Sequence, residues 1–154
     1  MDTPEIPLES LDAARVAALL GERFSLQVLV EVGVDLSGLD PLFDDEVLVE
    51  ESAGQAQFTD FQVRDGLLQR LPWSFRRRWS LKLAESLEKL KGKPGKLGEL
   101  FLSAQDFDRA RPYLIRAAEM ACMANEYSKA LELLRQVFAT RTDLRVSHLD
   151  GVER

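Results

Sequence analysis

Aromatic and cationic side chains interleave over Trp73, Phe75, Arg76, Arg77, Arg78 and Trp79. Aromatic faces stack on bases and guanidinium groups hold phosphates, so this combination suits a single-stranded nucleic acid or a phosphate group. The same residues also have a structural use. Pro72, Trp73 and Ser74 can start a helix, Phe75 and Trp79 form an i,i+4 core pair, and the arginines can bridge to acids. The structural use is the expected one, which leaves Arg76, Arg77 and Arg78 as the alternative nucleic-acid contacts.

Other candidate chemistry is sparse. Cys122 and His148 are the single cysteine and the single histidine. A thiol–imidazole pair or a metal site needs more ligands than these two supply. Cys122 is expected to be a small packed thiol on a helix, and His148 lies in a polar tail. Asp44, Asp45, Glu46, Glu50 and Glu51 cluster without the spacing or the glycine of a calcium loop, so they read as a solvated acidic face. The string Gly92 to Lys96 (GKPGK) has glycines and lysines but does not fit a phosphate-binding loop, and reads as a linker. The expectation is therefore a protein that is not an enzyme, with no catalytic residue, metal or cofactor.

Composition sets the class. The chain has 154 residues, 45% hydrophobic and 30% charged, with a net charge of −6, as a soluble globular protein does. No apolar run approaches the roughly 20 residues that span a bilayer, and Phe24 to Val34 is interrupted by Glu31 and Gly33. The acidic, Pro-containing N-terminus resembles neither a signal peptide nor a transit peptide. One cysteine precludes an intramolecular disulfide and suits a reducing cytoplasm. The expected location is cytoplasmic, with no membrane partner.

Ser10 is placed as a helix N-cap, with Leu11, Ala14, Ala18 and Leu19 forming a stripe that ends at Gly21. Ser25 is placed as the cap of a short helix carrying Leu26, Leu29, Val30 and Val32. A third short helix over Asp35 to Asp44 points Leu36, Leu39, Leu42 and Phe43 inward. Val47 to Val49 and Ala56 to Phe58 then form two strands joined by the turn Ser52-Ala53-Gly54. Three short helices followed by a β-hairpin is the winged-helix arrangement. In such folds the third helix enters the DNA major groove. Here that helix carries Asp35, Asp40, Asp44, Asp45 and Glu46, with no Lys or Arg between Glu31 and Val63. Acids facing phosphates oppose the largest affinity term, so DNA is not an expected partner.

Further helices are expected over Asp60 to Leu71, Ser74 to Leu90 and Lys96 to Ala104, with the subdomain boundary at the Gly92 to Gly95 break. The remainder contains an internal echo. Asp106-Phe107 with Ala110 and Leu114 is repeated by Glu126-Tyr127 with Ala130 and Leu134. Ala110, Tyr113, Leu114, Ala117 and Ala121 form one helical face, and Leu133, Leu134, Val137 and Phe138 a second. Alanine stripes let helices approach closely, as in stacked helical hairpins. Arg109, Arg116, Glu119 and Lys129 are the exposed members expected to contact a protein partner. Beyond Thr140 a polar tail is expected to fray.

Four strings carry a resemblance: AALLGERFSLQVL (Ala17 to Leu29), FTDFQVRDGLLQRLP (Phe58 to Pro72), RRRWSLKLAESLE (Arg76 to Glu88) and DFDRARPYLIRAAEMA (Asp106 to Ala121). They resemble the segment after the nucleotide-binding domain in STAND-type signal-transduction ATPases, including large LuxR-class regulators. Two departures stand out. The histidine that family members carry after the second wing strand is Asp60 here, and there is no ATPase domain in this sequence. The resemblance implies a mainly α protein: a winged-helix-like subdomain over residues 1–91, then tetratricopeptide-like helical hairpins over residues 92–154. It implies a non-catalytic interaction or regulatory role, in a part or a relative of such a regulator.

Overall fold

The computed structural model describes the backbone of residue 6 and residues 8–153, and the side chains of residue 6 and residues 10–140. The fold is mainly α with one small antiparallel sheet. The chain divides into two compact units, Met1–Lys89 and Leu90–Arg154, just before the Gly92 to Gly95 break.

The first unit begins with α1 (Leu8–Leu20), β1 (Arg23–Ser25) and α2 (Leu26–Glu31). A 3-10 turn (Leu36–Leu39) leads into α3 (Asp40–Asp44), followed by β2 (Leu48–Ser52) and β3 (Gln55–Phe58). Three helices followed by a hairpin is the winged-helix order expected from the sequence, here with β1 inserted after the first helix. Two further helices, α4 (Phe61–Gln69) and α5 (Trp73–Lys89), complete the unit. The hairpin turns at Gly54, whose φ of +79° favours a residue without a Cβ. Its core is apolar and closed: Phe24, Leu29, Leu39, Leu42, Leu48 and Phe58 are all buried, and the rings of Phe24 and Phe58 lie 5.8 Å apart.

Three details differ from the sequence expectation. The sheet has three strands in the order β1-β3-β2, because Arg23–Ser25 pairs with β3, Phe24 opposite Ala56. A three-residue strand with one buried side chain has no alternation to read, and it exists because β3 offers its free edge. Helix α1 starts two residues before Ser10, which is buried and is not its cap. Ser25 makes no side-chain cap either; α2 buries Val28 and Leu29 and leaves Val30 exposed. A single turn and a half of helix is too short for its apolar stripe to be chosen by periodicity.

The second unit holds α6 (Pro94–Ser103), α7 (Phe107–Met123) and α8 (Tyr127–Glu153). Pro94 occupies the first turn of α6, where its missing N–H costs nothing. The two connections are built alike. Gln105 and Asn125 are left-handed, with φ of +61° and +63°. Gln105 donates to Leu102 and Asp106 to Phe101; twenty residues on, Asn125 donates to Cys122 and Glu126 to Ala121. Both are the paired bonds that close a helix C-terminus over a left-handed residue. The echo read in the sequence is thus an echo of loop geometry too. Helix α7 packs against α6 on one side and α8 on the other. It buries Ala110, Leu114, Ala117, Ala118 and Ala121. The backbone of α8 is helical to Glu153; the tail's side chains, His148 included, lie outside the described residues.

Packing is tightest where α6 meets α7. A Cβ on Gly98 would lie 2.7 Å from Leu114 Cδ2 and 2.9 Å from its Cγ. Overpacking of this kind costs about 1–3 kcal/mol, more than the roughly 1 kcal/mol that alanine gains over glycine in a helix. Gly98→Ala should therefore lower the melting temperature. Gly66, within α4, has nothing within 4 Å of its added Cβ, and Gly66→Ala should raise it by about 0.5–1 kcal/mol of stability. Ala110→Leu, at a fully buried position, should cost about 1–3 kcal/mol. Thermal melts of the three variants side by side check all of this.

Candidate functional site

The aromatic and basic stretch lies on α5, and most of it is already engaged. Phe75 is buried with its ring 6.0 Å from that of Trp79, the expected core pair. Arg15 Cζ stands 5.8 Å from the Phe75 centroid, and Lys82 Nζ 4.6 Å from that of Trp79. Arg76 does not bridge to an acid as expected. Its Nη2 donates to the carbonyl of Leu68 at 2.7 Å, in the last turn of α4, and its Cζ lies 5.8 Å from the Trp73 centroid. A guanidinium at a helix C-terminus satisfies an orphan carbonyl and the dipole together. Trp73, Arg77 and Arg78 remain at the surface, Trp73 with 72% of its area exposed.

A cleft of about 470 Å³ opens in the first unit, with Ser10, Asp12, Asp35, Ser37 and Trp79 in its lining. Its carboxylates have local work. Asp12 pairs with Arg15 at 3.5 Å. Asp35 accepts from both the backbone N–H and the hydroxyl of Ser37, at 3.0 and 2.8 Å. Those bonds favour the charged form and hold the Asp35 carboxyl below the usual range. A depressed carboxylate makes a poor general acid or base near neutrality. The acids Asp44, Asp45, Glu46, Glu50 and Glu51 are all exposed; Glu51 pairs with Arg23 at 3.7 Å. Among the described residues, no three His, Cys, Asp or Glu side chains gather as metal ligands. Cys122 is exposed rather than packed, because the alanines take both faces of α7 that meet other helices.

In the second unit, Arg109, Arg116, Glu119 and Lys129 are all exposed, as expected. Arg109 is nonetheless engaged: Nε pairs with Asp106 at 2.6 Å and Cζ lies 4.9 Å from the Phe101 centroid. Lys129 pairs with Glu126 at 3.7 Å. The most distinctive surface was not among these. Helix α8 buries Ala130, Val137 and Thr140 where it packs on α7. Roughly 100° around the helix runs a second row, Tyr127, Leu131, Leu134 and Phe138, with exposures of 65, 51, 37 and 64%. This corrects the expectation that Leu134 and Phe138 point inward with Leu133 and Val137. At on the order of 150–200 Å² per large side chain, the row leaves on the order of 400 Å² of apolar surface uncovered. That is within the range of the largest apolar patch on a typical monomer, which is often functional. The 4-3-4 spacing was present in the sequence, but α8 carries two apolar stripes, and only the packing tells which one α7 takes.

No protein-family model, curated protein or solved structure matches the chain. Among the described residues, no helix is long and apolar enough to cross a membrane.

The role of Arg76 is separable from that of its neighbours. A part-buried hydrogen bond from a charged donor is worth about 1.5–3 kcal/mol, so Arg76→Ala should destabilise by about that much. Arg77→Ala and Arg78→Ala, at exposed positions, should stay within about 0.5 kcal/mol of neutral. Urea unfolding of the three variants is the measurement.

Proposed function

We propose that the protein is a non-catalytic interaction module whose contact surface is the outer row of α8. The observation that carries this is the second apolar row of α8, where Tyr127, Leu131 and Leu134 stand exposed beside the face that packs on α7. The small-residue packing of α6, α7 and α8 makes a rigid mount for that row. The local engagement of the cleft carboxylates Asp12 and Asp35, and of most cations, supports a role in contact rather than in chemistry. Arg116 and Glu119 flank the surface of α7 and supply selectivity. In the light of the four sequence strings, the module belongs to a cytoplasmic regulator of the STAND type, as a part or as a relative.

A second reading rests on Trp73, which is 72% exposed, with the exposed Arg77 and Arg78 four and five residues further along α5. An exposed aromatic with cations on the same helix is suited to a single-stranded nucleic acid. Because Arg76 is spent on the Leu68 carbonyl, this surface offers two cations rather than three.

The two readings separate by mutation. A partner co-purified from native lysate, then isolated and titrated against the pure chain, should lose at least tenfold in affinity with Leu131→Glu/Phe138→Glu. The melting temperature should be little changed, since both side chains are exposed. Equal affinity for the double variant would overturn the proposal. Duplex DNA should not bind at physiological salt, and a single-stranded oligonucleotide should bind no better to the wild type than to Trp73→Ala/Arg77→Ala. Tight, steeply salt-dependent oligonucleotide binding that this variant abolishes would establish the second reading instead.

A further inference from the structure

We infer that the cleft of the first unit binds a small organic amine: an ammonium on an apolar body with a hydrogen-bonding group at its far end. The residues involved all belong to the first unit, and the α8 surface plays no part. Ser10 is what points to a ligand. It lines the cleft and is fully buried, yet its hydroxyl has no hydrogen-bond partner among the described residues. A serine within a helix can return its proton to a carbonyl one turn back, and Ser10 does not. A buried polar group left unpaired costs free energy. In the wall of a cleft, that cost is recovered when a ligand brings the missing partner.

Burial orders the polar groups by depth. Asp12, Asp35 and Ser37 are exposed and Ser10 is not, so the acids stand at the mouth and the free hydroxyl at the base. The other side chains of the lining are apolar or aromatic: Ala13, Val16, Val34, Pro41 and Trp79. The volume, about 470 Å³, is that of a small-molecule pocket. Charge sets the sign of the ligand. The described lining holds two carboxylates and no Lys or Arg. Arg15 pairs with Asp12 at 3.5 Å and offsets part of its charge, which leaves Asp35 as the anchor. Ser37 donates twice to the same oxygen of Asp35, Oδ1, and Oδ2 stays open among the described residues. A guanidinium fork uses both oxygens of a carboxylate, whereas an ammonium is a point charge that needs one. The head group is therefore an ammonium. Lys82 already supplies a cation to the Trp79 ring, 4.6 Å from its centroid, so Trp79 serves the ligand as apolar wall.

The probe is tyramine, which carries an ammonium and a phenol at opposite ends of an apolar body, compared with phenethylamine, which lacks the hydroxyl, and 4-ethylphenol, which lacks the ammonium. By calorimetry on the full chain, tyramine should bind saturably with a Kd below about 1 mM. 4-Ethylphenol should bind about tenfold more weakly or worse, and phenethylamine about fivefold more weakly, since a site with a hydroxyl to pair rejects the analogue that cannot pair it. Asp35→Asn should weaken tyramine about tenfold; asparagine keeps an oxygen for both Ser37 bonds, so the turn is retained. Ser10→Ala should bring tyramine down to the affinity of phenethylamine and leave phenethylamine within about twofold. It should not lower the melting temperature, because the hydroxyl it removes has no partner to lose. Ser80 has a second buried, unpaired hydroxyl but does not line the cleft, so Ser80→Ala should leave the ratio of tyramine to phenethylamine affinity unchanged. Three results would overturn the inference. The first is no saturable binding of tyramine. The second is equal affinity for tyramine and 4-ethylphenol, which would leave the carboxylates without a role. The third is a tyramine preference that survives Ser10→Ala, which would take Ser10 out of the site.

Discussion

Leu114 rests against bare backbone at Gly98, closer than any side chain there would allow. This one contact fixes how α6 and α7 lie together, and the order of the second unit follows from it. With the helices that close, the rings of Phe101 and Tyr113 stack 5.8 Å apart and nearly parallel, and Arg109 Cζ lies 4.9 Å from the Phe101 centroid. The alanines of α7 are then left to serve both neighbours: Gly95 lies against Ala117 on the α6 side, while α8 closes over the rest. Larger residues along α7 would have kept α8 away. A stripe of alanines, which adds little burial of its own, thus decides where α8 stands and which of its two apolar rows faces outward.

The first unit solves a different problem, that of ending short helices in a small core. Two arginines do it. Arg64 Nε donates to the carbonyl of Ala18 at 2.9 Å, near the end of α1, and Arg76 closes the end of α4 in the same manner. Arg15 and Lys82 lie over aromatic rings. Cations that could have faced a phosphate backbone are therefore committed to the fold. The third helix keeps its acids at the surface, where Asp35 caps its own turn. The unit has a winged-helix order, and its third helix presents exposed acids in a chain of net charge −6.

Long-period features were legible in the sequence and short or two-faced ones were not. The repeated acid–aromatic–alanine–leucine pattern located α7 and α8 because it extends over several turns, where periodicity is strong. The hairpin was legible from the composition change after Asp45 and from the glycine its turn requires. Strand β1 was not, since three residues held by a neighbouring edge carry no pattern of their own. Arg76 was read as an ion-pair donor, because nothing local says that the Leu68 carbonyl will lack a partner. The outer row of α8 was read as core. Leu134 and Phe138 are apolar and correctly spaced, and a sequence records that a face is apolar without recording whether anything covers it. Cys122 failed in the mirror sense: an apolar-looking residue on a helix whose buried faces were already filled by alanine.

Magnitude decides between the apolar row and the charged residues as the source of affinity. Arg109 and Lys129 are paired with the acids that immediately precede their helices, Asp106 and Glu126, and an exposed pair contributes about 0–1 kcal/mol. A partner that recruits either one first breaks that pair, so the net gain is smaller still. The row is different. About 400 Å² of apolar surface, at about 25 cal/mol per Å², represents on the order of 10 kcal/mol of gross transfer energy. Association consumes much of that, through lost rigid-body freedom and ordered side chains. The charged candidates alone would not offset the same costs. Arg109, Arg116, Glu119 and Lys129 can still select among partners by repelling the wrong ones. In the interaction role proposed here, most of the binding energy would come from Tyr127, Leu131, Leu134 and Phe138.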